Sequence, residues 1–448
     1  MADHVVAPVD EMLPKEKLFV FGLQHVMAMY AGAVAVPIII ANSLGLSKEE
    51  LIYLINADLL VGGIATIIQS LGVWKLGIKS PIMQGVSFAA VTPMVMVGAQ
   101  HGLRGIFGAT IAAGLIGFLI SPYFSRLIRF FPPVVTGTII TLIGVSLMPV
   151  AVRWAGGGVV TAPDFGSLKY IGLALVVLLF VIMMFRFFTG FYQSIAVLLG
   201  LIFGTIIAIP LGMTNFSQVG TASWVQIIIP FHFGMPIFDI TSILAMTLAM
   251  LVIMTETTGD MVAVGEIVGQ KVDREGLTRG LRADCFSTML GGVMNTFPHS
   301  AFAQNVGLLA LTGIKSRFVV VAAGIILAVL GLFPKAAAVV AAIPQPVLGG
   351  AGIALFGMVA ASGIRTLSKV KFDGTNNSMI VAVSLGLGLI PLAVPTFYHH
   401  MPQWAQLILH SGITAGSLVA ITLNYFFNES GKKSDEAEEA ETAAYQTH

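Results

Sequence analysis

Pro133-Val134-Val135-Thr136-Gly137, followed by Gly144, recurs as Pro346-Val347-Leu348-Gly349-Gly350, followed by Gly357. Each pair is offset by 213 residues, and Arg104 and Arg317 keep the same offset. Working outward from the two copies, each half of the chain holds seven apolar runs. Seven is odd, so the second copy would enter a membrane upside down relative to the first. Inverted repeats of this kind characterise secondary transporters, whose substrate site lies near the midplane between broken helices. Short Gly- and Pro-rich matches also arise by chance, so the rest of the sequence has to agree.

Composition agrees on the membrane. Of 448 residues, 56% are hydrophobic and 10% charged, against roughly 25% charged in soluble domains. Mean hydropathy is +0.91. The 23 Lys and Arg nearly balance 22 Asp and Glu, which argues against a nucleic-acid partner. A lone cysteine, Cys285, makes neither an internal disulfide nor a cysteine-based metal site, and no metal or cofactor is expected. Membrane lipid is the expected surrounding.

A membrane span needs roughly 20 mainly apolar residues. Such runs fall near 18–41, 51–73, 80–98, 103–121, 132–151, 168–187, 194–212, 237–256, 279–293, 299–312, 318–333, 336–361, 377–395 and 406–427. The fold class predicted is an all-α polytopic membrane protein with 14 spans. Placing the N-terminus in the cytoplasm puts 18 Lys and Arg inside and five outside (Lys48, Arg104, Arg153, Lys169, Lys335), as the positive-inside rule requires. Both termini are then cytoplasmic. Residues 1–14 read as a polar cytoplasmic segment without a signal-peptide n-region, and 429–448 as a disordered acidic tail.

Two of the runs are interrupted in corresponding places. Span three opens Ser80-Pro81-Ile82-Met83-Gln84-Gly85-Val86-Ser87-Phe88, and span ten Pro298-His299-Ser300-Ala301-Phe302-Ala303-Gln304-Asn305. Each reads as a short extended stretch followed by a half-length helix, too short to cross lipid alone. Unpaired backbone at that depth survives only buried in protein or lining a cavity. Half-helices starting near Phe88 and Asn305 would aim free N–H groups and positive dipole ends at the midplane, where an acceptor could bind.

Ionisable groups inside spans are functional candidates because each costs about 2.5–3.5 kcal/mol on insertion scales. Span eight ends Thr255-Glu256-Thr257-Thr258-Gly259-Asp260, with Glu256 and Asp260 on one helical face, and span nine carries Asp284. Carboxyls this close in low dielectric cannot all ionise cheaply; one that exchanges a proton near neutral pH suits proton-coupled transport. A buried structural hydrogen bond is the competing reading for each, and Asp260 is also placed to reach the cytoplasmic interface. His25, in span one, reads as a helix-tethering partner before a ligand, Asp58 as structural or near the outer rim, and Asp239 as a helix cap. Gln304 offers a donor and an acceptor to a planar heterocycle, and Phe88 can cover its face. Gln304 and Asn305 could instead simply cap the half-helix.

These residues resemble the nucleobase–ascorbate transporter family, in its bacterial xanthine/uric acid permease branch. Its signature, Gln/Glu/Pro-Asn-x-Gly-x-x-x-x-Thr-Arg/Lys/Gly, stands complete as Gln304-Asn305-Val306-Gly307-Leu308-Leu309-Ala310-Leu311-Thr312-Gly313. The Glu256–Asp260 run, Arg282-Ala283-Asp284, Gly22-Leu23-Gln24-His25 and Pro344-Gln345-Pro346 are similar to further family landmarks. The resemblance implies core-domain pieces at 15–121 and 236–333, gate-domain pieces at 122–235 and 334–428, a homodimer, and elevator-like movement. It implies substrate held by Glu256 and Gln304, mainly backbone contacts from Ser87, Phe88 and Ala303, and support from Asp260, Asp284, His25 and Asn305. Gln rather than Glu at 304 looks like the purine branch, with mixed xanthine and uric acid cues. The expectation is proton-coupled purine uptake across a bacterial cytoplasmic membrane, not enzymatic catalysis. A uracil or anion carrier on the same fold is the alternative, and a channel a more distant one.

Overall fold

The computed structural model describes residues 7–127 and 130–429. The acidic tail expected from 429 onward lies, past its first residue, outside the described residues, as does the start of the N-terminal segment.

The helices in order are α1 (Lys15–Leu44), α2 (Lys48–Leu71), α3 (Val91–Leu127), α4 (Pro133–Ala155), α5 (Leu168–Phe187), α6 (Phe191–Ser194), α7 (Ala196–Ala208), α8 (Ser217–Thr221) and α9 (Ile240–Val268). They continue with α10 (Arg274–Val293), α11 (Ala303–Thr312), α12 (Arg317–Leu330), α13 (Pro334–Ala341), α14 (Gln345–Leu367), α15 (Asn377–Ala393), α16 (Gln403–Leu409) and α17 (Gly412–Asn424). Two three-residue strands, β1 (Gln84–Val86) and β2 (His299–Ala301), are the extended segments that matter for the site. Seven helices are long and apolar enough to cross a membrane among the described residues, and α12 with α13, bent by 81°, would add an eighth.

Local chemistry sets the boundaries. Ser47 and Glu50 form a reciprocal capping box at the start of α2 (2.8 and 3.2 Å), satisfying amides that have no helical partner. Asp239 caps α9 by accepting from the Ser242 amide at 2.8 Å, as its position predicts. The N–H groups of α3 break step at Gly102 (φ 63°, ψ −165°), a conformation open to glycine. The helix is thus a half-length piece, Val91 to His101, followed by a second helix carrying Arg104. Likewise α11 stops at Gly313 (φ 66°) before Arg317 opens α12.

Two apolar runs are divided where single spans were expected. Residues 336–361 break at 342–344, between α13 and α14, because Pro344 disfavours helical backbone at Ile343. The run at 406–427 is also divided, between α16 and α17.

The described residues separate into two compact units, one made of 7–125 with 147–357, the other of 126–127 and 130–146 with 358–429. In the first, α2 packs along α12 at a crossing of glycines. A Cβ on Gly63 would lie 2.5 Å from the Gly324 carbonyl oxygen, and one on Gly324 2.8 Å from that of Gly63. In the repeated motif, Gly350 leaves no room for a Cβ beside the Ala174 carbonyl. In the second unit, a Cβ on its counterpart Gly137 would lie 3.0 Å from the Gly363 carbonyl oxygen. Both copies of the motif therefore serve close helix approach, the use small residues have in membranes. The second unit also packs α15 against α17.

Candidate functional site

The two extended stretches meet. β1 and β2 pair antiparallel with Gln84 opposite Ala301, Gly85 opposite Ser300 and Val86 opposite His299. Backbone bonds extend the pairing from Ser87 N–H to the Pro298 carbonyl (2.8 Å) and from Phe302 N–H to that of Met83 (3.0 Å). A two-stranded ribbon leaves outer backbone groups unpaired, which is costly away from water. Here hydroxyls answer them. Thr66 on α2 accepts from Gln84 N–H at 2.9 Å and lies 3.3 Å from its carbonyl; Thr257 on α9 accepts from Ala301 N–H at 3.1 Å; Thr288 on α10 accepts from His299 N–H at 3.2 Å. Phe302 packs where Gly32 and Gly85 leave space: a Cβ on either would lie within 2.8 Å of its ring.

A short helix starts from each strand. After β1, Ser87 caps a tight turn (Phe88–Ala90) by accepting from Ala89 N–H at 3.2 Å, and the half-helix of α3 follows. After β2, α11 begins at Ala303, two residues earlier than expected, and no side chain caps it. Gln304 and Asn305 are therefore not its caps. Instead the Asn305 amide nitrogen donates to His25 Nδ1 (3.1 Å) and to the His25 carbonyl (2.9 Å). The carbonyl only accepts, so it fixes the orientation of the amide. His25 Nδ1 must then carry the lone pair, which puts the proton of a neutral ring on Nε2. His25 is a tether between α1 and α11.

The acids converge from α9 and α10. Asp260 lies within electrostatic range of both Glu256 and Asp284. Asp284 is fully buried, with Thr257 and Gln84 alongside, and it accepts from Gln69 Nε2 at 3.1 Å. Gln69 also donates to the Gly280 carbonyl (3.3 Å) and accepts from Ile78 N–H (3.3 Å), so its amide is held at both ends. Asp260 Oδ2 has no hydrogen-bond partner among the described residues. α9, which carries Glu256, packs against β2, α11 and the Phe88 turn.

Exposure divides the candidates. Ala303 is exposed, and Glu256, Asp260 and Gln304 are half-buried; Ser87, Phe88, His25, Asn305 and Asp284 are buried. The candidates thus fall into an accessible set and a buried set. Phe88 meets Phe356 of α14 edge-on (5.8 Å between centroids), and Phe356 lies 6.5 Å from Trp154. The site thus combines accessible acids and amides, an uncapped helix start and an aromatic wall. It suits a small planar solute with several N–H and carbonyl groups.

Reasoning from sequence singled out both half-buried and buried members of this group and missed three polar residues of α2. Gln69, Thr66 and Ser70, which donates to the Ile82 carbonyl at 3.3 Å, all lie on α2 and hold β1 or Asp284. Their signal was present: polar residues three to four apart on an otherwise apolar helix share one face. Asp58 is buried and structurally engaged; it accepts from Thr296 at 2.7 Å and lies 3.5 Å from His299 Nε2.

Known proteins resemble this chain along most of its length. The sequence profile of the Permease family matches residues 16–397. The uric acid transporter UacT of Escherichia coli K12 is 47% identical over 95% of this chain and 89% of its own. The xanthine permease of Bacillus subtilis 168 is 43% identical over 96% and 98%, and the uric acid permease PucJ of the same strain 42% identical over 95% and 96%. Among solved structures, the transmembrane domain of a cyanobacterial bicarbonate transporter, BicA, superposes with a TM-score of 0.59 at 15% identity, covering 92% of this chain and 99% of that one. SLC26A9 superposes with a TM-score of 0.60 at 11% identity, covering 92% of this chain and 66% of that one. At those identities the likeness speaks for the fold. The sequence relatives are transporters and permeases rather than enzymes, and with them this integral membrane chain belongs to the Permease family.

Proposed function

We propose that the chain takes up purine nucleobases, xanthine and uric acid, driven by protons. Glu256 accepts ring N–H bonds and the Gln304 amide pairs with another edge. The backbone at Ser87, Phe88 and Ala303 adds contacts, with Phe88 against the ring. Asp260, Asp284, His25 and Asn305 support the site, and a proton bound within the three-acid group neutralises it alongside substrate. The observation that carries the reading is that α9, bearing half-buried Glu256 and Asp260, packs against α11, bearing half-buried Gln304. Relatives at 42–47% identity named for uric acid or xanthine support the substrate class.

In the same reading, 14 spans form two inverted repeats and divide into a core bearing the site and a gate. The chain works as a homodimer by elevator-like movement in a bacterial cytoplasmic membrane, with both termini inside. The repeated Pro/Gly motif, the 18-to-5 charge split and the Gly102 and Gly313 half-helix ends support it.

The test is uptake of radiolabelled xanthine and uric acid in cells lacking their own carriers, with and without a protonophore. Wild type should accumulate both and lose accumulation with the protonophore. Glu256→Gln should abolish accumulation; transport against a gradient at wild-type rate would refute the assignment. The BicA likeness favours a second reading, an anion carrier, which predicts bicarbonate uptake. Against it, neither half-helix carries a Lys or Arg near its start, where an anion site would want one.

A further inference from the structure

Asp58, Thr296 and His299 form a polar cluster that the acids of α9 and α10 do not include. Asp58 sits on α2 at 2% exposure, and His299, in β2, and Thr296, just before it, are at 0%. Asp58 Oδ1 accepts the Thr296 hydroxyl at 2.7 Å and faces His299 Nε2 at 3.5 Å. The His299 ring also lies against the backbone carbonyls of Phe297 and Asp58. Lys48, Glu49 and Glu50, at the start of α2, are exposed.

Charge accounting then limits what the cluster can be. An unpaired ion in an apolar interior is penalised by several kcal/mol. A protonated imidazole facing a carboxylate, and a neutral imidazole facing a carboxylic acid, are both net neutral, and each holds one proton. Gaining or losing a proton leaves a net charge on a pair whose two side chains are 2% and 0% exposed. The pair is therefore built to keep its proton, unlike the three mutually close acids of the site.

Its position says what it holds. Thr296 is fixed from its other side by its own N–H on the Gly291 carbonyl (2.7 Å), and His299 is the first residue of β2. Five residues after His299 comes Gln304. We propose that Asp58, Thr296 and His299 are positioning residues: a one-proton, net-neutral clamp from α2 to β2 that sets where α11 starts and so where the Gln304 amide points. As an effect on affinity, this rests on the purine reading above; as an effect on the strand, it does not.

The experiment compares wild type with Asp58→Ala, Thr296→Val and Asp58→Asn. Initial rates of xanthine uptake are measured between pH 6 and 8 and normalised to transporter in the membrane. Hydrogen–deuterium exchange of the peptide covering β2 and the start of α11 is followed in parallel. Asp58→Ala and Thr296→Val should raise KM at least fivefold with maximal rate within twofold, and speed exchange of that peptide. Asp58→Asn, neutral and still able to accept the threonine hydroxyl, should rescue KM to within twofold across the pH range. Unchanged KM and exchange in Asp58→Ala and Thr296→Val would overturn the clamp. So would an Asp58→Asn form as impaired as Asp58→Ala, since the charge itself would then be in use. If Asp58→Ala fails to reach the membrane, Thr296→Val carries the same comparison. If wild type takes up no purine, the substrate reading fails and the exchange data alone decide the clamp.

Discussion

Asn305→Asp is a one-atom change that sets acceptor against acceptor. In the wild-type chain the Asn305 amide nitrogen donates to two groups of His25, Nδ1 at 3.1 Å and the carbonyl at 2.9 Å, with both residues buried. Asn305→Ala removes both bonds and strands two buried acceptors, a loss of about 2–3 kcal/mol for neutral groups. Asn305→Asp is worse, because a carboxylate oxygen then faces the carbonyl and a lone pair, and only an added proton relieves it. If about 1.4 kcal/mol of the Ala loss reaches the neighbouring Gln304 as misplacement, KM for xanthine rises about tenfold. The assay is initial-rate uptake normalised to membrane-resident protein, with thermal unfolding of the detergent-solubilised transporter alongside. The expected order in both is wild type, then Asn305→Ala, then Asn305→Asp. An Asn305→Asp protein equal to wild type, or better than Asn305→Ala, would refute the assigned tautomer and the tether.

Gln69→Leu keeps volume but strips Asp284 Oδ1, the Gly280 carbonyl and Ile78 N–H of a partner. Uptake should fall at least tenfold and unfolding temperature should drop, by an amount corresponding to about 2–4 kcal/mol; unchanged uptake would remove Gln69 from the site's support. Gly63→Val forces apart α2 and α12, where a Cβ already meets backbone, and should prevent a folded, monodisperse product, whereas Gly307→Ala, in open space, should not. Asp239 is held below the usual carboxylate range, first by the Ser242 amide at the start of α9 and further by nearby His101. Its stabilisation is therefore complete above the unfolded value of about 3.9 and is lost as pH falls through the lower folded value. The unfolding-temperature gap between wild type and Asp239→Asn should be constant above about pH 5 and close in stronger acid; a gap that widens in acid would reverse the sign.

What could be read in the sequence was what a membrane makes expensive. Pro81, Gly85 and Pro298 interrupt apolar runs, so the extended stretches and their half-helices stand out, as do acids such as Glu256 and Asp284 in spans. The cap at Asp239 follows from one residue type in one place. Partners distant in sequence were not legible: Gln69 meets Asp284 and Asp58 meets Thr296 only once α2 lies against α10 and β2, and each residue alone looks like an ordinary polar interruption. The break before α14 was missed because hydropathy runs smoothly through 336–361, and only Pro344 records the turn. Asn305 was placed correctly near the helix start but given capping as its competing role, since a cap and a cross-helix donor share the same chemistry and differ only in what stands opposite.

Threonine hydroxyls on α2, α9 and α10 stand where further strands would be in a larger sheet, so both flanks of the short ribbon are sealed. The tips of α3 and α11 emerge from opposite ends of that ribbon, and the Ser87–Pro298 and Phe302–Met83 bonds stitch each tip to the other's strand. Neither tip can be levered away without tearing stitches that belong to both. If cargo sits between them as proposed, it is held by a yoke with no hinge of its own, and its release would have to come from displacement of the helices around the yoke.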